Sequence, residues 1–148
     1  MEETIEQKKR RLYGKQFLKN YQKTISEILY KCDDDSYEIL SIMESDVIFN
    51  QLNKLKLVNS STFTFKEKIT IWNLFKNKFS NKFYLITSLS YDCGVFEVKN
   101  IDCFNIDFDY SVEPTGLIIL VNSTLEYKLV LDFYEEEESL KIDMMEYM

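Results

Sequence analysis

Three ionisable residues beside one predicted hairpin have the types that metal-dependent nucleases use. Asp92, Glu97 and Lys99 follow one another closely, and Glu97-Val98-Lys99 resembles the E-x-K part of that pattern. There, paired carboxylates hold Mg²⁺ and the lysine stabilises charge at the attacking water. The first aspartate of the pattern normally comes from a more distant strand, and a phosphodiester substrate favours a basic surface. The spacing and the acidic surroundings therefore favour a polar strand face over a nuclease site.

A second set of carboxylates alternates with aromatic residues. Asp107, Asp109 and Glu113 have Tyr110 and a phenylalanine among them. Oxygen ligands suit Ca²⁺, but the common calcium-binding loop needs glycine at its sixth position, which from Asp107 is Val112. Two interpretations remain open: a solvated loop that its aromatic residues anchor to the core, or an acidic-aromatic patch that binds a protein partner.

The densest acidic feature is a run of four consecutive glutamates, 135–138, after the strand-like segment Leu131-Asp132-Phe133-Tyr134. Consecutive side chains of an extended chain point to opposite faces, so only alternate glutamates can converge on one metal ion. A solvated turn between two antiparallel strands is the better structural interpretation. A partner can reach such a turn at the end of a sheet.

Several enzyme classes lack their usual residues here. The chain contains no histidine, the commonest general base and transition-metal ligand. It also has no nucleophile elbow, no P-loop and no dinucleotide-binding glycine pattern. We therefore expect a protein that is not an enzyme and has neither a cofactor nor a metal.

Charge is distributed unevenly along the chain. Residues 1–82 carry 15 basic and 11 acidic residues, a net charge of +4, whereas residues 83–148 carry 3 and 14, a net charge of −11. The acidic half should repel nucleic acid and attract a basic protein. The basic run Lys8-Lys9-Arg10-Arg11 is interpreted as a solvated helix face.

The cysteines and the hydropathy pattern predict a cytoplasmic location. Cys32, Cys93 and Cys103 are odd in number and form no C-x-x-C pair. The charged N-terminal segment is followed by no apolar signal region. No apolar run approaches the length of a membrane span, so no membrane association is expected.

The periodicity of apolar residues changes from helical to strand-like after Asn81. It predicts helices at 3–31, from Asp35 to Leu57, and at 65–79, the last opened by a capping box from Thr64 to Glu67. Asn59-Ser60-Ser61 is predicted to be a loop. The strands are predicted at 83–89, 94–99, 116–121, 125–134 and 139–145.

The sequence thus predicts an α+β fold in which three N-terminal helices pack on one face of a four- to five-stranded antiparallel sheet. One domain, 1–148, is expected, with a helical part at 1–82 and a sheet part at 83–148.

The strands in "FYLITSLSYDCGVFEV" and "GLIILVNSTLEYKLVLDFYEEE" resemble the C-terminal half of small bacterial immunity proteins, which are encoded beside polymorphic or contact-dependent toxins. The resemblance covers residues 83–137 and consists of the strand pattern, a glycine after the first turn and an Asp-Phe-Tyr strand end. It implies an inhibitor that binds a cognate toxin domain, commonly a basic nuclease, and occludes its active site or substrate channel.

Both the resemblance and the charge distribution predict a protein partner and no nucleic-acid partner. The predicted contact residues are the acidic and tyrosine side chains of the C-terminal half: Asp107, Asp109, Tyr110, Glu113, Asp132, Glu135, Glu136, Glu137 and Glu138. Two alternatives are a phage-type acidic inhibitor that mimics nucleic acid towards a host nuclease, and a metal-dependent nuclease that uses Asp92, Glu97 and Lys99. The interface, the stoichiometry and the oligomeric state stay open.

Overall fold

The computed structural model describes residues 2–29 and 32–148 and shows an α+β fold. Seven strands form one sheet in which every pairing is antiparallel. The strands are β1 Tyr37–Ile39, β2 Leu57–Thr64, β3 Phe83–Thr87, β4 Phe96–Val98, β5 Leu117–Asn122, β6 Lys128–Glu136 and β7 Ser139–Tyr147. The α-helices are α1 Ile5–Gly14, α2 Leu18–Ile28, α3 Ile42–Leu52, α4 Lys68–Lys78 and the single turn α5 Ser90–Cys93.

The sheet has two strands more than the sequence predicts. Its order is β1-β4-β3-β5-β6-β7-β2, so the two additional strands, β1 and β2, are its edges. Both come from residues 1–82, so the predicted division into a helical part and a sheet part is not the observed one. The predicted loop Asn59-Ser60-Ser61 lies within β2.

Helices cover both faces of the sheet, and the prediction that they share one face is wrong. On one face the core joins α2 and α4, through residues such as Ile25 and Phe75, to Phe83 of β3. On the other face Ile48 of α3 packs with Tyr84. Neighbouring residues of a strand point to opposite faces, and the fully buried strand β3 supplies apolar side chains to both cores.

The predicted helix from Asp35 to Leu57 is wrong over its first part and at its end, because α3 stops at Leu52 and Leu57 begins β2. Residues Tyr37–Ile39 form β1, and α3 begins only after Ser41. A capping box fixes that start, because the Ser41 hydroxyl accepts from the Glu44 amide and the Glu44 carboxylate accepts from the Ser41 amide, both at 3.1 Å.

Elsewhere the predicted helices agree better with the structure. The Thr64–Glu67 capping box is confirmed and opens a 3₁₀ turn that leads into α4. The predicted helix 3–31 is divided into α1 and α2 by the 3₁₀ turn Lys15–Phe17, and its last two positions lie outside the described residues. None of the helices within the described ranges combines the length and hydropathy that a membrane span needs.

Helix α1 is held against α3 and α5 by Arg10, which the sequence predicts to be solvated. Arg10 is 8% exposed. Its two terminal nitrogens each donate to a carboxylate oxygen of Asp46 at 2.8 Å, and its Nε donates to the carbonyl of Tyr91 at 3.0 Å. The Arg10 hydrogen bonds hold the pKa of Asp46 below its ordinary value. This partly buried, bidentate pair is structural.

Gly14 lets the end of α1 approach α5 closely. A β-carbon at this position would collide with the backbone carbonyl of Asp92. The thiol of Cys93 donates to the Gly14 carbonyl at 3.3 Å. The glycine therefore allows close packing between the two backbones.

Candidate protein-interaction surface

The four consecutive glutamates form the end of the β6–β7 hairpin. Glu136 pairs with Ser139, so Glu137 and Glu138 are the two residues of the connecting turn. Both have positive φ, 52° and 65°, as in a type I′ turn, for which Asn-Gly is the favoured sequence. All four glutamate side chains are exposed. The predicted turn is confirmed, and it has a backbone conformation that glutamate adopts at a cost.

Tyr110 fixes the loop before β5 to this hairpin. Its hydroxyl donates to Glu135 Oε1 at 2.6 Å, and its ring stacks on Phe133 with centroids 6.2 Å apart. The hydrogen bond to the Glu135 carboxylate raises the pKa of Tyr110. Phe108 is buried and packs edge-on against Phe133, with ring centroids 5.3 Å apart. Aromatic residues thus anchor the loop to the core.

The two aspartates of the loop are exposed and differ in their partners. Asp109 accepts from the amide of Ser111 at 3.0 Å and from its hydroxyl at 2.6 Å. These hydrogen bonds lower the pKa of Asp109. Asp107 forms an ion pair with Lys68, whose ammonium group lies 4.1 Å from the centre of the Phe65 ring. Asp107 is therefore already neutralised from within the chain.

Glu113 is a correction to the predicted contact set, because it is only 3% exposed. Its carboxylate accepts from the amide and hydroxyl of Ser88, from the amide of Thr115 at 2.6 Å and the Thr115 hydroxyl at 2.7 Å, and from the amide of Leu117 at 3.3 Å. Burial opposes ionisation, but the hydrogen bonds outweigh it and hold the pKa of Glu113 below its ordinary value. Glu113 is a buried carboxylate that stabilises the fold.

Asp132 lies on the opposite face of the sheet from Phe133 and Tyr110. It stands directly opposite Asp143 of β7. Burial, together with the nearby Asp143 charge, raises the pKa of Asp132. Asp143 also accepts from the hydroxyls of Thr62 at 2.8 Å and Tyr134 at 3.0 Å.

Sequence reasoning did not identify the Asp132–Asp143 pair. The signal that could have found it is the alternation in β7, where Ile142 and Met144 are buried and Asp143 between them is not. The structure thus places seven of the nine predicted contact residues on two surfaces. One is the acidic end, defined as Asp109, Tyr110 and Glu135 to Glu138, and the other contains Asp132. The remaining two are Asp107, which is paired with Lys68, and Glu113, which is buried.

The residues of the nuclease alternative are not assembled into a metal site. Glu97 of β4 forms an ion pair with Lys82 at 3.2 Å, Asp92 lies in α5, and Lys99 follows β4 as an exposed residue. Within residues 2–29 and 32–148, no three acidic or thiol side chains are grouped so that they could hold a metal ion. The geometry gives this alternative no support.

The acidic end can attract a positively charged surface. None of its four glutamates forms an ion pair with a lysine or arginine of the described residues.

In comparisons with protein-family models, curated proteins and solved structures, no match to this chain is found.

Proposed function

We propose that this protein is an immunity-type inhibitor that binds a basic toxin domain and occludes its active site or substrate channel. The observation that carries the proposal is the acidic end. Its four exposed glutamates have no ion-pair partner in the described chain, and two of them, Glu137 and Glu138, form a hairpin turn with positive φ. The resemblance of residues 83–137 to small immunity proteins supplies the class of partner.

The electrostatic properties of the acidic end suit recognition of a basic surface. Opposite charges steer encounter and raise association rates, and exposed carboxylates keep this ability because they are not neutralised from within. The hydrogen bond from Tyr110 to Glu135 and the anchored ring of Tyr110 hold part of the surface in place before binding. Preorganisation of this kind reduces the entropy lost on association.

A reducing compartment fits the proposed role. The three cysteines are free, with Cys103 buried and Cys32 and Cys93 half-buried. Burial raises the pKa of the Cys93 thiol, which keeps it protonated and unreactive. We propose a cytoplasmic location, where an immunity protein meets toxin that has entered or been made in the cell.

The test is binding to the polypeptide encoded beside this gene, measured by co-purification and surface plasmon resonance. We expect a one-to-one complex with a dissociation constant of about 1 nM and loss of toxin activity. The charge-reversal variant Glu137→Lys/Glu138→Lys should slow association by about tenfold at low salt and reduce its dependence on ionic strength.

The matched control reverses two exposed carboxylates near the opposite edge of the sheet, Glu27→Lys/Asp35→Lys. It should leave association with the toxin almost unchanged. Equal effects of the two variants would show that only net charge matters and would remove the acidic end from the interface. Inhibition of a host nuclease without binding to the neighbouring product would favour the phage-type inhibitor.

A further inference from the structure

The two edges of the sheet differ in how they are protected against pairing. β1 is three residues long and carries Glu38. β2 is eight residues long, reads LVNSSTFT, and contains neither a charged residue nor proline. An open edge exposes unpaired amides and carbonyls, and proteins usually protect it with charge, proline or shortness. β2 has none of these protections, apart from an irregularity at its start between Leu57 and Asn59.

The free side of β2 is also accessible and partly apolar. In the described chain its sole strand partner is β7. Leu57 and Val58 are 54% and 53% exposed. Met148, joined to Lys56 by two backbone hydrogen bonds of 2.9 and 3.0 Å, is 48% exposed. Exposed apolar side chains beside an open strand edge are typical of an interaction surface.

The two ends of β2 differ in net charge, since the glutamates 67 and 135–138 outnumber Lys66 and Lys141 at the end of the strand. Lys54 and Lys56 precede the strand at one end. At the other end Thr64 pairs with Lys141 of β7, next to the β6–β7 turn that carries the acidic end. An antiparallel strand added to this edge therefore has to match a basic end and an acidic end in that order.

We propose that β2 pairs with β2 of a second copy of this chain, antiparallel and about a two-fold axis, so that the two sheets become continuous. The symmetry reverses the direction of the second strand. It brings Lys54 and Lys56 of each copy towards the glutamate turn of the other. The strand itself introduces no like charges across the new interface, and its serine and threonine side chains form favourable cross-strand pairs.

A strand from a basic partner fits this edge less well. Lys54 and Lys56 at the start of β2 would repel a basic strand, whereas a second copy of this chain brings its glutamate turn towards these two lysines. The inference does not rest on the proposed function, although both assign a contact to Glu137 and Glu138. Sedimentation of the purified chain alone distinguishes them, because failure of toxin binding leaves the dimer test unchanged.

Sedimentation velocity of the purified chain tests the proposal over about 1 to 200 μM, a range that brackets micromolar association. We expect a monomer–dimer equilibrium that weakens by about tenfold in Ser60→Lys, because two lysines then approach each other across the axis. Ser60 is exposed, so the substitution should not disturb the monomer. The control Ser80→Lys adds the same charge at an exposed loop position and should leave the equilibrium unchanged.

Charge exchange tests the direction of pairing. Lys54→Glu/Lys56→Glu and Glu137→Lys/Glu138→Lys should each weaken the dimer, and the variant that combines all four substitutions should recover it. Hydrogen exchange of the β2 amides should slow as protein concentration rises.

Three results would overturn the proposal. One is a monomer throughout the range with β2 exchange independent of concentration. Another is a dimer that Ser60→Lys and Ser80→Lys affect equally. The third is protection of β2 only when a basic partner is added, which would assign the edge to that partner.

Discussion

Glu113 and the turn residues Glu137 and Glu138 belong to the same acidic half and differ in almost every physical respect. Glu113 is buried and receives hydrogen bonds from Ser88, Thr115 and Leu117. The turn glutamates are exposed, have positive φ and form no ion pair with a described residue. The first carboxylate stabilises the fold through its charge, whereas the turn pair destabilises it slightly and leaves its charge available to a partner.

The largest effect should come from Glu113→Ala. Removal of the carboxylate leaves buried donors of Ser88 and Thr115 without an acceptor, and we expect a loss of about 3 kcal/mol in the free energy of unfolding. Urea denaturation at neutral pH measures it. Glu126→Ala, at an exposed position, is the control and should change stability by less than about 0.5 kcal/mol. A similar small change for Glu113→Ala would contradict the structural role.

The pH dependence of the free energy of unfolding should also depend on the ionisation of Glu113. The folded-state pKa of Glu113 lies below its ordinary value of 4.5, so its contribution is complete above pH 4.5 and is lost as the pH falls through the lower folded-state pKa. Wild-type protein should therefore lose stability on acidification below pH 4.5 more steeply than Glu113→Gln. Parallel profiles for the two proteins would show that folding does not lower the pKa of Glu113.

Substitutions at the turn residues Glu137 and Glu138 should raise the stability of the fold, in contrast to Glu113→Ala. Glu137→Asn/Glu138→Gly places the favoured type I′ residues where φ is positive and should stabilise the protein by about 1–2 kcal/mol. Glu137→Gln/Glu138→Gln removes the same two charges but keeps the unfavourable backbone, and should gain much less. If the two variants are equally stable, repulsion between the glutamates, and not backbone strain, sets the cost.

Substitution of Asp132 tests whether the Asp132–Asp143 pair destabilises the fold. Its pKa is raised by burial and by Asp143, so the ionised form costs stability above the folded-state pKa and the cost is relieved as the pH falls through it. Asp132→Asn should stabilise the protein at neutral pH by about 0.5–1 kcal/mol. Asp143→Asn should gain less, because Asp143 accepts two hydrogen bonds.

The smallest expected effect concerns Tyr110. The Glu135 carboxylate is the main cause of the raised pKa of Tyr110, so Glu135→Gln should lower that pKa. NMR titration of ring-labelled tyrosine measures it. Tyr134 is the internal control, since its raised pKa comes from a hydrogen bond to Asp143 and should not change. An unaltered pKa of Tyr110 would show that the contact is not formed in solution.

The strands with a clear apolar pattern could be predicted from the sequence, and the edge strands could not. β5, β6 and β7 follow the predicted boundaries closely because they carry the buried side chains of the core. Five of the eight residues of β2 are serine, threonine or asparagine and the strand is mostly exposed, so hydrophobic periodicity gives no signal for it. β1 has only three residues, too few for an alternating apolar pattern to be recognised, and its pairing with β4 is a long-range contact.

The acidic turn could be located from the sequence, but the roles of individual carboxylates could not. Asp107, Asp109 and Glu113 look equivalent in the chain. Only tertiary packing places Glu113 against Ser88 and Asp107 against Lys68. The positive φ of Glu137 and Glu138 could not be predicted from these residue types either. It follows from the two-residue hairpin loop, and glutamate gives no sequence signal for it.

The close approach of Gly14 to Asp92 has a consequence for the order of folding. Every contact described here that holds α1 to α5 joins residues about 80 positions apart, and closing so long a loop is entropically costly until the intervening chain is organised. During synthesis α1 leaves the ribosome before α5 exists. The face of α1 that packs on α5 is therefore expected to dock only after residue 93 has been translated, and until then this face stays open to chaperones and proteases.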